Sequence, residues 1–371
     1  MKINTALLSI VSLIFLYNCS ISNNDTSNPK MENKLPKNII LMIGDGMGLS
    51  QISAAMYANN GTLYMEEAEY IGLIKTNSAD DLITDSAAGA TAFATGEKTY
   101  NGSINMNTDT LPLTPITSLL IKNKIKTGIV STSSVTHATP ACFYGNQTNR
   151  YGVNEALAKQ FINSKIDVLI GGGEDYFTQR KDKQNLLDSL KNDNYVIIDS
   201  IIDDIPIQTE KLINFCAPKE PNTVKNGRNN FLSLAAEKAM HVLNNNNNNG
   251  FFLMIEGSQI DWGGHDNDSD YIISETLDFD KAIKTVLDFA KKDQNTLVII
   301  TADHETGGYG ITGQNKKTKK LETSFLNTDH TATMVPLFAF GPGAKNYIGT
   351  YHNNELHTKI LESFSIQKTG F

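Results

Sequence analysis

Apolar residues in this chain come in short unbroken runs, and three of those runs end on a carboxylate. Residues 38–44 lead into Asp45, 251–255 into Glu256, and 296–302 into the pair Asp303 and His304. Runs of this length, rich in β-branched side chains, predict strands buried on both faces, and in open α/β sheets ligands bind beyond the carboxyl ends of such strands. If the three share a sheet, their acids converge. Crowded carboxylates raise one another's pKa, so a site that keeps them ionised needs cations, divalent metals above all. Further strands are predicted over 125–132 and 166–173, and apolar residues at helical spacing predict helices over 231–243 and 272–290. From Leu35 onward strand and helix patterns alternate, which argues for one α/β domain of βαβ units. The asparagine run 244–249 reads as a solvated turn and the basic stretch 316–320 as a surface loop. Residues 175–230 read as the least regular, peripheral part.

The 371 residues are 40% hydrophobic and 19% charged, with a net charge of -8. That suits an enzyme with a substantial core and lacks the basic excess of a nucleic-acid binder, so no nucleic-acid partner is expected. Met1 and Lys2 precede a mostly apolar stretch over 6–17, and Cys19 follows at once. The pattern predicts an export signal over 1–18, too short to span a bilayer. Residues 16–19 resemble a bacterial lipobox, although Asn18 stands where a small residue is usual; an ordinary cleaved signal with an incidental cysteine is the other reading. On the lipobox reading Cys19 carries a lipid and heads a polar tether over 19–35, and the catalytic domain spans 36–371. The expected location is the periplasm or cell surface, lipid-anchored to a bacterial membrane. Cys142 and Cys216 then permit one bridge at most, and both read as small buried hydrophobes.

Candidate chemistry clusters around the strand ends. The turn 44–48 departs from a dinucleotide fingerprint, and its Asp45 would repel a pyrophosphate, so it reads either as a metal-ligand loop or as an acidic cap on a glycine turn. Ser86 opens a helix of small residues behind Asp85. It could be plain capping, or a nucleophile whose hydroxyl a nearby divalent metal makes acidic. No G-x-S-x-G elbow surrounds it, which weighs against activation by an imidazole. Asp261 and His265 are four apart, as on one helical face, but Gly263 and Gly264 point to a loop or first turn instead. With Asp303, His304 and His330 they form a mixture of carboxylate and imidazole suited to zinc, with oxygen ligands suited to magnesium. His137 precedes Ala138 and Thr139, and Arg150 further on could fork a phosphate, although taken alone it reads as a surface residue.

Together, GDGMG around Asp45, TDSAAGATA around Ser86, HATP from His137 with Arg150 following, IEGSQIDWGGH from Glu256, TADHETGG around Asp303, and His330 with Thr331 and Ala332 resemble alkaline phosphatase in identity, order and spacing. The resemblance covers about residues 36 to 351 and implies an α/β/α sandwich with a central, mostly parallel sheet. It implies broad hydrolysis of phosphate monoesters through a phosphoserine on Ser86, at two zinc ions and a third metal, magnesium. One zinc would take Asp261, His265 and His330; the second Asp45, Asp303 and His304; the third metal Asp45, Thr139 and Glu256. Arg150, oriented by Asp85, would bind phosphate oxygens. His137 and Trp262 would lie beside the phosphate and the third metal, whose identity they bear on, since some members carry an aspartate and a lysine there. A homodimer is the family expectation, although the short segment between Asp303 and His330 leaves little room for a dimer-capping domain. The rival readings are a phosphodiesterase on the same scaffold and a tethered metal- or phosphate-binding protein without catalysis.

Overall fold

The computed structural model describes residues 34–202 and 204–366, so the signal, Cys19 and most of the tether lie outside the described residues. Among the described residues, fourteen strands run in chain order. They are β1 (Asn38–Gly44), β2 (Tyr70–Lys75), β3 (Lys126–Ser134), β4 (Val168–Gly172), β5 (Val196–Ile198), β6 (Leu212–Ala217) and β7 (Phe251–Gly257). There follow β8 (Thr296–Thr301), β9 (Glu305–Thr306), β10 (Gly310–Gln314), β11 (Leu321–Ser324), β12 (His330–Thr331), β13 (Val335–Phe340) and β14 (Gly349–His352). Ten of them form one sheet in the order β14-β2-β13-β8-β1-β7-β3-β4-β6-β5. Its pairings are parallel except those of β13, which runs antiparallel to both β2 and β8.

The three acid-ending runs are the adjacent central strands β8, β1 and β7. Every residue of each is buried, as their unbroken apolar sequences require. Ile43 of β1 lies level with Glu256 on one side and Thr301 on the other, so Asp45, Glu256 and Asp303 emerge at one sheet edge.

Helices cover both faces, and the alternation of side chains along β7 decides which. Phe251 packs on Phe289 of the helix Ser269–Asp293, while the next residue, Phe252, packs on Phe143 just beyond the helix Ala138–Ala141. The long helix Ser269–Asp293 starts where Asp268 accepts a bond from Tyr271 N, and it stops at Gln294, which takes a left-handed conformation. Its neighbour Phe231–Asn244 buries an apolar stripe that includes Leu232, Ala235, Ala239 and Leu243.

Residues 175–230 do lie at the sheet's periphery, but they are more regular than their sequence indicates, since β5 and β6 extend the parallel sheet at one end. The basic stretch 316–320 is the exposed turn of the β10–β11 hairpin. No helix among the described residues is long and apolar enough to cross a membrane. Cys142 is buried as expected, whereas Cys216 is exposed at the end of β6, and both are free thiols.

Candidate active site

Beyond β1 the chain turns at Gly46, whose φ of 71° favours glycine. A side chain there would also meet Asp261 Cα at 2.8 Å, so the glycine lets the Asp45 loop close against the Asp261 segment. The 259–265 segment is a helix, not the loop that its two glycines suggest. Gly263 and Gly264 instead permit close packing: a Cβ on the first would lie 2.8 Å from Ile272 N, and one on the second 2.7 Å from Thr306 Cγ2. Asp261 and His265 therefore do share a helical face, with His265 Nε2 3.3 Å from Asp261 Oδ2.

His330, on β12, brings its Nε2 within 3.4 Å of Asp261 Oδ1 and 3.2 Å of His265 Nε2. The other ring nitrogens fix what those atoms are. His330 Nδ1 donates to the Thr84 carbonyl at 2.8 Å and His265 Nδ1 to the Thr328 carbonyl at 2.7 Å, since a carbonyl only accepts. In the neutral rings, both Nε2 lone pairs then point at one another and at a carboxylate. Such a cluster needs a shared cation, and a tautomer held by a backbone carbonyl is how metal-binding histidines are oriented. In the metal-free chain a proton serves: the bond to Asp261 raises the His265 pKa to about 9.

His304 is fully buried, with its Nε2 3.4 Å from Asp45 Oδ1, 3.4 Å from Asp303 Oδ2 and 3.3 Å from Ser86 Oγ. Burial and the neighbouring His330 hold this imidazole well below its ordinary pKa, so it is neutral. Both Asp45 oxygens, Asp303 Oδ2 and Glu256 Oε1 are buried without a hydrogen-bond partner. Burial first, then the neighbouring acids, push Asp45 well above the usual carboxylate range and Asp303 up to about 7. Unpartnered buried carboxylates of this kind are what bound cations would relieve.

Glu256 accepts from Ser131 at 2.6 Å on one oxygen only. Thr139 is buried beside it, and its hydroxyl helps to lower the Glu256 pKa against the larger effect of burial. Three groups of side chains can each hold an ion: Asp261, His265 and His330; Asp45, Asp261 and His304; and Asp45, His137 and Glu256. His137 thus stands among the potential ligands as well as beside the phosphate pocket. Burial and Arg150 depress its pKa to about 3, which keeps it neutral.

Ser86 opens the helix Ser86–Thr95, and Asp85 is its N-cap. Asp85 does two jobs at once: Oδ1 accepts from Ala88 N at 2.9 Å and Oδ2 pairs with Arg150 Nη1 at 3.1 Å. Arg150 is therefore no surface residue. Its Nη2 approaches His137 Nε2 at 3.4 Å, and the His137 ring meets Trp262 edge-on at 6.0 Å. Ser86, Asp85, Arg150, Trp262, His265 and His330 all line one cleft of about 760 Å³.

Sequence reasoning missed Thr306, whose hydroxyl donates to Asp261 Oδ1 and takes a bond from His304 Nδ1 at 3.2 Å. One hydroxyl so ties together ligands of two clusters. Its only sequence signal is its place two residues after His304.

A mostly parallel α/β sheet that gathers buried acids and imidazoles beside a serine at a helix N-terminus and a paired arginine defines a metal-assisted hydrolase. A family model described as alkaline phosphatase matches residues 36–322. Alkaline phosphatase 3 of Bacillus subtilis is 38% identical over 324 residues, 82% of this chain and 69% of that protein. The solved alkaline phosphatase of the Antarctic bacterium TAB5 superimposes with a TM-score of 0.86 at 44% identity, covering 91% of this chain and 100% of that one. A variant of the TAB5 enzyme, with a histidine replaced by aspartate, has been solved with Mg bound. The chain belongs to the alkaline phosphatase family, a family of metal-dependent enzymes, and is a phosphatase.

Proposed function

We propose that the protein hydrolyses phosphate monoesters, with broad tolerance of the alcohol, through a phosphoserine on Ser86. The observation that carries this reading is the meeting of Ser86 Oγ with His304 Nε2 at 3.3 Å, in the cleft that Arg150 also lines. One proposed ligand set coincides with a cluster, Asp261, His265 and His330 for one zinc. The other two share two members with theirs: Asp45, Asp303 and His304 for a second zinc, with Asp303 in place of Asp261, and Asp45, Thr139 and Glu256 for a third metal, with Thr139 in place of His137. Magnesium is the proposed third ion, supported by its presence in the TAB5 variant; His137 competes for that place, because it groups with Asp45 and Glu256. When bound, such ions polarise phosphoryl oxygens and make a nearby hydroxyl more acidic.

The chain's own groups do the rest. Arg150, held by Asp85, presents its fork to two phosphoryl oxygens, which suits a monoester with both free. Ser86 Oγ attacks phosphorus in line, forming a P–O bond as the bond to the alcohol oxygen breaks, and its helix N-terminus favours the gathered negative charge. Water then breaks the phosphoserine and releases inorganic phosphate. Residues 1–18 as export signal, lipidated Cys19 on a tether to residue 35, a catalytic domain over 36–371 and a homodimer at the periplasmic or outer cell surface complete the proposal. The first two rest on the apolar run and the cysteine, the dimer on the family.

The test is turnover of p-nitrophenyl phosphate and its bis ester by zinc- and magnesium-loaded protein. Monoester preference, loss on chelation with recovery on zinc, and a fall of at least about a thousandfold in Ser86→Ala are expected. Preference for the diester, or an active Ser86→Ala protein with its metals in place, would defeat the reading.

A further inference from the structure

The cleft is far larger than a phosphoryl group, and what lines its outer part has no part in the chemistry above. Tyr151 is 74% exposed, and its ring centroid lies 5.7 Å from the Arg150 guanidinium carbon, so the ring forms a shelf directly beside the phosphate fork. Ile83 also lines the wall. Apart from Arg150 and the histidines, the charged side chains of this cleft are acids. Asp85 is paired with Arg150, and Asp261 with His265 and His330. Asp81 and Asp329 remain, both exposed, each using Oδ1 to accept from a backbone N–H, of Ile83 and His330 respectively. Among the described residues, no lysine lines the cleft.

Resting on the phosphomonoesterase reading, we propose that the outer cleft selects the alcohol: a flat, uncharged aryl or nucleoside group laid on Tyr151, in preference to an alcohol bearing further negative charge. The aromatic ring offers stacking area at little entropic cost, because only two torsions are frozen. The two rim carboxylates repel a second anion, an effect that salt weakens.

The experiment compares kcat/KM for phenyl phosphate, 4-carboxyphenyl phosphate and glycerol 2-phosphate, using ratios between variants so that intrinsic reactivity cancels. Tyr151→Ala should lower the phenyl-to-glycerol ratio about three- to tenfold, chiefly through KM, while Tyr151→Phe keeps it. The double change Asp81→Asn with Asp329→Asn should raise the carboxyphenyl-to-phenyl ratio about threefold at low salt and less at high salt. Trp262 is the chain's single tryptophan and lines the cleft, so its fluorescence reports binding independently of turnover. By that signal phenylphosphonate should bind tighter than methylphosphonate, and Tyr151→Ala should erase the difference. Either ratio unmoved, or equal phosphonate binding, overturns the inference. Failure to turn over any of the three esters sinks the phosphomonoesterase reading instead, and the phosphonate titration still judges the shelf.

Discussion

Two clusters of buried acids in this molecule are built on opposite terms. Glu275 and Asp278, on the helix Ser269–Asp293, bring their own cation: Arg228 Nη2 donates to Asp278 at 3.0 Å and also to Glu275, with all three side chains at most 4% exposed. Asp45, Asp303 and Glu256 are as deeply buried, yet they leave carboxylate oxygens with no partner. Burial pushes the pKa of both sets upward, so the direction of the shift does not tell them apart. The partner does. An acid whose counter-charge is built into the chain is a clamp, here tying the 222–228 segment to a helix through the Asn222 carbonyl and Val224 N. An acid whose counter-charge the chain withholds is a place for something to bind.

The comparison breaks most sharply at Arg228. Replacing it by methionine strands two carboxylates in the interior, and the expected cost is about 3–5 kcal/mol of folding stability, measured as a shift in the urea midpoint of metal-loaded protein. Monoester turnover per folded molecule should hold, because the clamp touches no residue of the cleft. Adding Glu275→Leu and Asp278→Leu should restore much of the loss, since a whole ion triad can be exchanged for apolar groups at little cost. A stability loss under about 1 kcal/mol in Arg228→Met would show that the triad is no clamp.

The site was more legible than this clamp because it announces itself locally. Asp45, Glu256 and Asp303 follow unbroken apolar runs, and their convergence needed only that β8, β1 and β7 be neighbours, as they are. Gly263 and Gly264 misled, because a glycine needed for packing against Ile272 and Thr306 looks in sequence like one needed for a turn. β5 and β6 hid in an irregular stretch because they are short strands at one end of the sheet whose pairing comes from long-range contacts. Thr306 was invisible for the same reason: its partner Asp261 is 45 residues away.

Thr306 sharpens the contrast with a smaller effect, because it joins the unpartnered cluster without supplying any charge. Thr306→Val keeps the shape, frees His304 Nδ1 and leaves Asp261 without its hydroxyl donor. Zinc affinity, measured by competition with a chromophoric chelator, should fall about 10–100-fold. Thr306→Ser should stay close to the parent. Equal zinc affinity in the valine variant would mean that the hydroxyl does not position the ligands.

The smallest effect is also the most diagnostic, because protons and metal ions compete for the same atoms in one cluster and for none in the other. In the stripped protein Asp303 is pushed up to about 7, from an ordinary value of 3.8, by burial and by Asp261. His265 is held up to about 9, from 6.5, by its bond to Asp261. A raised folded pKa means that the folded state keeps a proton that the unfolded chain has released. Stability therefore falls as pH rises, from about 4 to 7 on account of Asp303 and from about 6.5 to 9 on account of His265. Metal binding expels those protons, so its affinity climbs through the same range. The gap in Tm between zinc-loaded and EDTA-treated protein should accordingly widen by a few degrees from about pH 5 to about pH 9. The Arg228 cluster holds a guanidinium that does not titrate in this range, so Arg228→Met should lower both curves without changing the gap. A gap that stays constant or narrows with pH would mean that the acids of the site are not waiting for a cation.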